Sequence, residues 1–256
     1  MIDQLGSITR AFALVRRITG DERWEQVRQE RSEDLLVYLA LSAFGGRPPF
    51  NSLDGALRLD VRTFFGSYRA ACVEADRLLF SAGNSAGVDA ACRAADVGKL
   101  TPEALYIHAS GLHTLSPVLR VLEGCARTLV GTVEGGNIIK LGRLKPTVTY
   151  LAYPRFDSDP HPALTTSVTA GLRSLRVDFR SYQDSPNPPI LHRKELFVPA
   201  SYPHRDMFAR LTAQEVRRGL YEHPERIGTR YGWNMVLDTA HVCHRGHRLQ
   251  RRPTTV

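Results

Sequence analysis

The N-terminal part of the chain carries apolar residues at spacings of three and four, which is the period of one helical face. Five segments show this spacing: Ile2–Ile18, a stretch beginning at Asp21, Leu35–Phe44, Leu53–Phe80 and Asn84–Ala95. Glycine and proline separate several of them, most clearly at 45–49, which reads GGRPP. The pattern therefore predicts an all-α helical region over residues 1–97.

The period changes after Gly98. A helix is predicted over Val118–Val130, and further helices over His204–Gly219 and Trp233–Ala240. Strands are predicted at Ala104–His108, Asn137–Leu141, Thr147–Tyr153, Ser174–Tyr182 and Ile190–Val198. The run over 174–182 alternates apolar with charged residues, so we expect one of its faces to be buried.

These elements predict an α+β fold, in which an N-terminal helical bundle precedes a mixed, mainly antiparallel sheet with flanking helices. The second domain is expected to span residues 98–256, with a boundary near 96–102. It would end in an Arg/His-rich tail.

Charge separates the two parts of the chain further. The total is +8, but residues 98–256 hold 22 basic and 13 acidic side chains, whereas residues 1–97 hold 12 basic and 13 acidic. No acid follows Asp238, while Arg245, Arg248, Arg251 and Arg252 accumulate there. A basic segment of this kind can bind phosphates, although a solvated tail has the same composition.

Other bulk features exclude several classes of protein. The apolar runs are much shorter than the roughly 18 residues that span a bilayer, and the N-terminus lacks the pattern of a signal peptide. The four cysteines lie far apart, which argues against a disulfide framework and a thiolate zinc site. A cytoplasmic protein with no membrane partner is therefore expected.

The most distinctive stretch is Asp184–Glu195, reading DSPNPPILHRKE. Three prolines in four residues fix φ and remove backbone donors, so this loop should be stiff. One hypothesis makes it an active site, with His192 as general acid or base and Glu195 as its orienting carboxylate, beside Asp184. Arg193 and Lys194 would then bind an anion.

Two further functions are considered for this stretch. Its Asn-Pro-Pro core is similar to the loop that holds the target amine in N6-adenine methyltransferases, but Ile190 stands where that loop has an aromatic ring. Metal ligation by His192 with Glu195 and Asp184, or by His161 with Asp157 and Asp159, competes with a surface ion-pair network. The sequence favours the network and predicts no metal ligand.

Basic and aromatic residues alternate along the predicted strands. A sheet face of this composition can bind nucleic acid, because cations follow phosphates and rings stack on bases. An equally consistent interpretation is that the arginines simply keep that face in water. The candidate contact residues are Arg155, Arg176, Arg180 and Tyr182, together with Asn187, Arg193 and Lys194 of the loop.

Several longer runs carry a family resemblance. They are RAFALVRR from Arg10, DLLVYLAL from Asp34, FGSYRAAC from Phe65, GKLTPEALYIH from Gly98, LEGCAR from Leu122, DSPNPPILHRKELFVP from Asp184, RIGTR from Arg226 and RGHRL from Arg245. Over nearly the whole chain they resemble the bacterial family of DNA phosphorothioation-associated proteins classed as methyltransferases. Longer relatives carry a cofactor-binding segment with a D-Y-G-C-G loop before this region, and no position here matches it.

The resemblance implies a part in a DNA modification or defence system. It implies that DNA, plain or phosphorothioate-modified, is a partner, and that S-adenosylmethionine would be bound only if a separate methyltransferase domain supplies the site. No cofactor is expected in this chain itself. The alternatives are an enzyme whose active site is the Asp184–Glu195 loop, and a scaffold whose basic strip binds an acidic protein.

Overall fold

The computed structural model describes residues 8–252, with side chains from Leu14 onward. The chain divides into two compact units, Met1–Phe80 and Ser81–Val256. Four helices build the first unit: α1 (Ile8–Thr19), α2 (Asp21–Ser42), α3 (Gly55–Phe65) and α4 (Tyr68–Ser81). Helices predicted at these positions are confirmed, apart from residues 1–7, which lie outside the described residues.

Helix α2 is continuous where two helices are predicted. Ser32, just before the second predicted segment, lies in mid-helix and donates its hydroxyl to the Gln29 carbonyl. A serine that bonds the preceding turn in this way is tolerated inside a helix. The core of this unit contains Leu35, Leu39 and Val61, which are fully buried or nearly so.

A six-stranded antiparallel sheet forms the centre of the second unit, with its strands in sequence order. The strands are β1 (Lys99–Leu100), β2 (Ala104–His108), β3 (Gly136–Gly142), β4 (Thr147–Ala152), β5 (Thr166–Gly171) and β6 (Arg176–Ser181). The predicted α+β class is confirmed. Strand β5 was not predicted, because its sequence TSVTAG has few large apolar residues.

Two helices belong to the sheet side of this unit. The sequence pattern places helix α5 (Ser85–Arg93) in the N-terminal helical region. In the structure, α5 belongs to the second unit and contacts α6 (Pro117–Val130). Helix α6 contacts β3, β4 and β5. Its buried Leu119 and Leu122 belong to the apolar interior, as do Ile139 and Val148 of the sheet.

The predicted burial of one face of β6 is wrong. All six residues of β6 are exposed, and Val177 and Phe179 are 46% and 68% accessible. Strand β6 is the last strand of the sheet, and the strands against which α6 mainly packs are β3, β4 and β5. Alternation along an edge strand therefore did not indicate a covered face here.

The strand predicted over Ile190–Val198 is also absent from the described chain. Ile190 makes an isolated bridge with Ala163, as the preceding Pro189 does with Thr229, and a short 3-10 helix follows at Lys194–Leu196. Arg193, just before that helix, has a φ of 52°. The two prolines at 188–189 cannot donate to a ladder, and a left-handed residue interrupts an extended strand.

The chain ends in helices α7 (Arg205–Arg217) and α8 (Arg230–Thr239), followed by strands β7 (Val242–His244) and β8 (Leu249–Arg251). Strands β7 and β8 pair as an antiparallel hairpin. The segment expected to be an Arg/His-rich tail thus has its own secondary structure. None of the described helices is both long and apolar enough to cross a membrane.

Buried Arg143 joins α5 to the sheet. Its side chain donates from Nε to Asp89 Oδ1 at 2.6 Å and from Nη1 to the carbonyls of Thr101 and Pro102 at 2.5 and 3.0 Å. Arg93 contacts the same carboxylate but is 64% exposed. Arg143 and Arg93 therefore allow a buried and an exposed contact with the same acid to be compared.

We predict that Arg143→Leu lowers the free energy of unfolding by about 2–3 kcal/mol, because Asp89 and the part-buried carbonyls of Thr101 and Pro102 lose a buried, charged donor. The matched variant Arg93→Leu should change it far less, because exposed ion pairs contribute little. Urea denaturation of both variants checks this. Equal losses in the two variants would contradict the assigned role of Arg143.

Candidate functional site

The Asp184–Glu195 loop lies against residues 226–231, so two of the sequence runs noted above meet in space. The backbone N–H of Ile190 donates to Gly228 at 3.2 Å, and that of Arg230 donates to Pro188 at 3.0 Å. Asn187 accepts a hydrogen bond from the Tyr231 N–H at 2.8 Å, in the first turn of α8. The Asn-Pro-Pro core therefore holds the start of a helix.

Gly232 has a specific role in this junction. A Cβ atom at this position would lie 1.8 Å from the carbonyl oxygen of Arg226, so a side chain would displace the loop. Ile227 follows Arg226 in the chain, and its carbonyl oxygen lies 2.7 Å from Nε2 of His192. Glycine at 232 thus allows the close turn that supplies a partner for His192.

A buried group of three side chains lies at the centre of this region. Nε2 of His161 and Nε2 of His244 each lie 2.7 Å from the same oxygen, Oε1 of Glu215. The side chains of His161, Glu215 and His244 are 5%, 1% and 12% exposed. We call these three residues the histidine–glutamate cluster.

The cluster joins three separate segments. His161 lies in the loop between β4 and β5, Glu215 near the end of α7, and His244 at the end of β7. Among the described residues, this is the group of three His, Cys, Asp or Glu side chains whose donor atoms, within 4.8 Å of one another, could hold a metal ion.

The cluster has further hydrogen-bond partners around it. Tyr221 donates its hydroxyl to Oε2 of Glu215 at 2.6 Å, and Nδ1 of His161 lies 3.3 Å from the Leu191 carbonyl. Burial alone would raise the pKa of Glu215, but the hydrogen bonds from His161, His244 and Tyr221 outweigh it and lower the pKa to about 2. Glu215 is therefore a carboxylate at neutral pH.

His192 lies next to the cluster without sharing its carboxylate. Its ring centroid is 4.4 Å from that of His161 and 4.6 Å from that of Trp233. Burial, together with the charge of His161, lowers the pKa of His192 to about 3, so the ring is neutral. A carbonyl can only accept, so Nε2 carries the proton that bonds Ile227, and the buried Nδ1 is an acceptor with no hydrogen-bond partner.

Lys194 is buried nearby, where the sequence predicted an exposed anion binder. Its ammonium donates to the carbonyls of Phe156 and Asp159 at 2.6 and 2.7 Å and to Nε2 of His247 at 2.9 Å. It also lies 3.9 Å from the ring centroid of Phe208. Three acceptors match the three protons of the ammonium, so Lys194 ties the loop to the C-terminal hairpin.

A basic cleft opens beside this lysine. We use this name for the cavity of about 680 Å³ between α7 and the turn joining β7 to β8. Three arginines, Arg210, Arg245 and Arg248, line it with a single acid, Asp206. Its other lining residues are Pro203, His204, Met207, Gln214 and His247.

Two contacts hold the hairpin side of the basic cleft. Leu249 donates its backbone N–H to the side-chain oxygen of Gln214 at 3.1 Å. The turn is closed by the backbone N–H of Arg245, which donates to the carbonyl of Arg248 at 2.9 Å. Burial, with the charge of Lys194, lowers the pKa of His247 to about 4, so the histidine that contacts Lys194 is neutral. The positive charge of the cleft therefore comes from its arginines.

The three residues predicted as catalytic have separate partners. His192 bonds the Ile227 carbonyl, Glu195 accepts from the Thr212 hydroxyl at 3.0 Å, and Asp184 is exposed. None of these three residues is part of the histidine–glutamate cluster. The described contacts therefore do not bring these three side chains together, as an active site in the loop would require.

The residues predicted to bind nucleic acid are divided between different places. Arg176 and Arg180 are exposed on β6, and Tyr182 accepts from Arg180 at 3.4 Å. Arg155 pairs with Asp159 at 3.5 Å, and Arg193 lies 4.4 Å from the ring centroid of Tyr221. Of this set, Arg155, Arg176 and Arg180 face water, whereas Lys194 is buried and Asn187 accepts from the Tyr231 N–H.

Glu215 and His244 were missed as site residues, although one signal was present. In α7 the buried Phe208 and Leu211 are followed by Glu215 at spacings of three and four, so an acid occupies the apolar face. An acid in such a position requires buried partners. The sequence does not say which residues of the chain supply them.

The site combines a closed cluster of metal-type ligands with an open basic cleft. The cluster can hold a proton or a cation, and the cleft can bind an anion. Comparison with family models, with curated proteins and with solved structures finds no match for the chain. The resemblance drawn from sequence runs therefore stays an expectation.

The burial of Lys194 predicts a pH dependence of stability. Burial lowers its pKa to about 7 despite the opposing charges of Asp157, Asp159, Glu195 and Glu215, whereas an exposed lysine titrates near ~10.4. Between these values the unfolded chain binds more protons than the folded one. The free energy of unfolding should therefore rise as the pH increases from about 7 towards 10.

We predict that Lys194→Met removes this rise, although it also lowers stability by leaving buried carbonyls without a donor. The exposed Lys145 provides the matched control, as Lys145→Met. Urea unfolding at several pH values checks the slope. A Lys194→Met protein with the wild-type slope would refute this origin of the pH dependence.

Proposed function

We propose that this chain is a DNA-contacting component of a bacterial DNA modification system, and that the basic cleft binds the phosphate backbone. The observation that carries this proposal is the convergence of Arg210, Arg245 and Arg248 on one cavity with a single acid. All three arginines are exposed, and no ion pair of the described residues 14–252 involves them. Their charge is therefore free for an external anion.

Phosphate is the anion that this arrangement suits. Guanidinium groups match phosphate oxygens with paired hydrogen bonds, and such contacts position a protein on DNA without reading its sequence. The excess of basic residues over 98–256 adds long-range attraction for a polyanion. The resemblance of several sequence runs to the phosphorothioation-associated family is the reason to take DNA as the source of that phosphate.

The basic cleft is a different surface from the strands first expected to bind DNA. Arg176 and Arg180 on β6 remain a second exposed pair, next to Phe179. They carry the same charge as Arg245 and Arg248. The two pairs therefore allow a comparison in which net charge is held constant.

We predict that the chain binds a duplex of about 20 base pairs at low salt and loses affinity between about 50 and 200 mM NaCl. Arg245→Gln with Arg248→Gln should weaken binding and reduce the slope of log K against log salt by about 2, because two phosphate contacts are lost. Fluorescence anisotropy with plain and phosphorothioated duplexes measures both quantities. Circular dichroism verifies that the double variant folds.

The matched control is Arg176→Gln with Arg180→Gln, which should leave most of the affinity and slope intact. If this control loses binding and the cleft variant does not, DNA is bound at β6 and the cleft assignment fails. Absence of binding to either duplex at low salt would refute the proposed function itself.

A further inference from the structure

The histidine–glutamate cluster has the composition of a metal site. Its donor atoms are two imidazole nitrogens and one carboxylate oxygen, which together ligate zinc and other first-row transition metals in proteins. Imidazole nitrogen is a poor ligand for Ca²⁺ and Mg²⁺, which take oxygen. We propose that His161, Glu215 and His244 bind a divalent transition-metal ion of the zinc type.

The distances in the cluster are compatible with this ion after a small expansion. Each imidazole Nε2 lies 2.7 Å from Oε1 of Glu215, a hydrogen-bond length. Ligand atoms on a tetrahedral Zn²⁺, with bonds of about 2.0 Å, are separated by roughly 3.3 Å. Each Nε2–Oε1 separation therefore has to widen by about 0.6 Å. The two histidines lie on a loop and at the end of a short strand.

The groups behind the ligands support the same assignment. Ligating histidines usually donate their second ring N–H to a carbonyl, and ligating carboxylates are hydrogen-bonded in turn. Nδ1 of His161 faces the Leu191 carbonyl at 3.3 Å, and Tyr221 donates to the free oxygen of Glu215 at 2.6 Å. Both ring nitrogens of His161 thus face acceptors.

A metal ion at Nε2 of His161 leaves the second ring nitrogen, Nδ1, facing the Leu191 carbonyl. The fourth position of a tetrahedral ion would be filled by water or by the unpartnered Nδ1 of His192, whose ring neighbours that of His161.

The burial of the cluster defines the role of the ion. Glu215 and His161 are buried, so a substrate has no access to the ligands as they stand. A closed site of this kind stabilises the fold. The ion would link the loop that carries His161, helix α7 and strand β7, and would thereby hold the hairpin that carries Arg245 and Arg248.

The test uses the full chain stripped with a chelator and then titrated with Zn²⁺ or Co²⁺. We expect one equivalent of ion per chain by mass spectrometry, a higher melting temperature with Zn²⁺, and the visible absorption of four-coordinate Co²⁺. Glu215→Gln and His244→Asn should each weaken Zn²⁺ affinity by at least about 100-fold, since loss of an outer partner alone costs 10–100-fold.

The matched control is His241→Asn, because His241 is exposed and its φ of 51° suits asparagine. This variant should bind Zn²⁺ and Co²⁺ as the wild type does. Wild-type protein without stoichiometric metal, Co²⁺ absorption or a thermal shift would overturn the proposal. Equal affinity in Glu215→Gln, His244→Asn and the wild type would also overturn it, by showing that the ion binds elsewhere.

These readouts do not depend on DNA. Metal binding with no DNA binding would refute the proposed function and leave the metal site intact, and the reverse result would do the opposite. If a ligand variant fails to fold, the Co²⁺ spectrum and metal content of the wild type still decide the matter.

Discussion

The buried carboxylate of Glu215 is the constraint on which the C-terminal half of the structure depends. A charge taken out of water is very unfavourable unless every lone pair that loses water finds a donor. Three donors surround it: His161, Tyr221 and His244. Each donor comes from a different segment. The need of Glu215 for donors therefore fixes the positions of the β4–β5 loop, the connection after α7 and the C-terminal hairpin.

Lys194 makes the complementary demand on the other side of the same region. Its ammonium is buried against two carbonyls of the β4–β5 loop and His247, which ties the Asp184–Glu195 loop to both that loop and the hairpin. The hairpin is thus held to Glu215 through His244 and to Lys194 through His247. Its turn, which carries the exposed arginines of the basic cleft, is positioned by buried electrostatics.

This arrangement changes the meaning of the Asn-Pro-Pro loop. Asn187 holds the first turn of α8, Pro188 accepts from Arg230, and His192 bonds the Ile227 carbonyl. These are structural contacts between two stretches 35 or more residues apart. The stiffness that first suggested a catalytic loop is explained by the need to present several backbone and side-chain partners in one fixed conformation.

Local periodicity predicted most of the secondary structure because helices and paired strands leave a regular imprint on the chain. It predicted α6 and strands β3 and β4 nearly to the residue. It failed where tertiary context decides: β6 alternates like a half-buried strand but lies at an edge. The apolar residues at 190–191 and 197–198 are buried without being part of a strand.

The candidate site was predictable only in part, for a related reason. His161 and His244 were visible as histidines, and the loop as unusual chemistry, but their common partner lies 54 and 29 residues away from them in sequence. A single acid on an apolar helix face signals that partners exist. Only the fold brings those partners together.

The central claim is that the carboxylate of Glu215 holds the C-terminal hairpin in place. Amide hydrogen exchange of β7 and β8 tests it most directly, in Glu215→Ala against Glu195→Ala, whose carboxylate also contacts α7, through Thr212. The account predicts much faster exchange at Val242–His244 and Leu249–Arg251 in Glu215→Ala, with the pattern of the sheet β2–β5 unchanged, and wild-type exchange at the hairpin in Glu195→Ala. Hairpin exchange in Glu215→Ala as slow as in the wild type would contradict it.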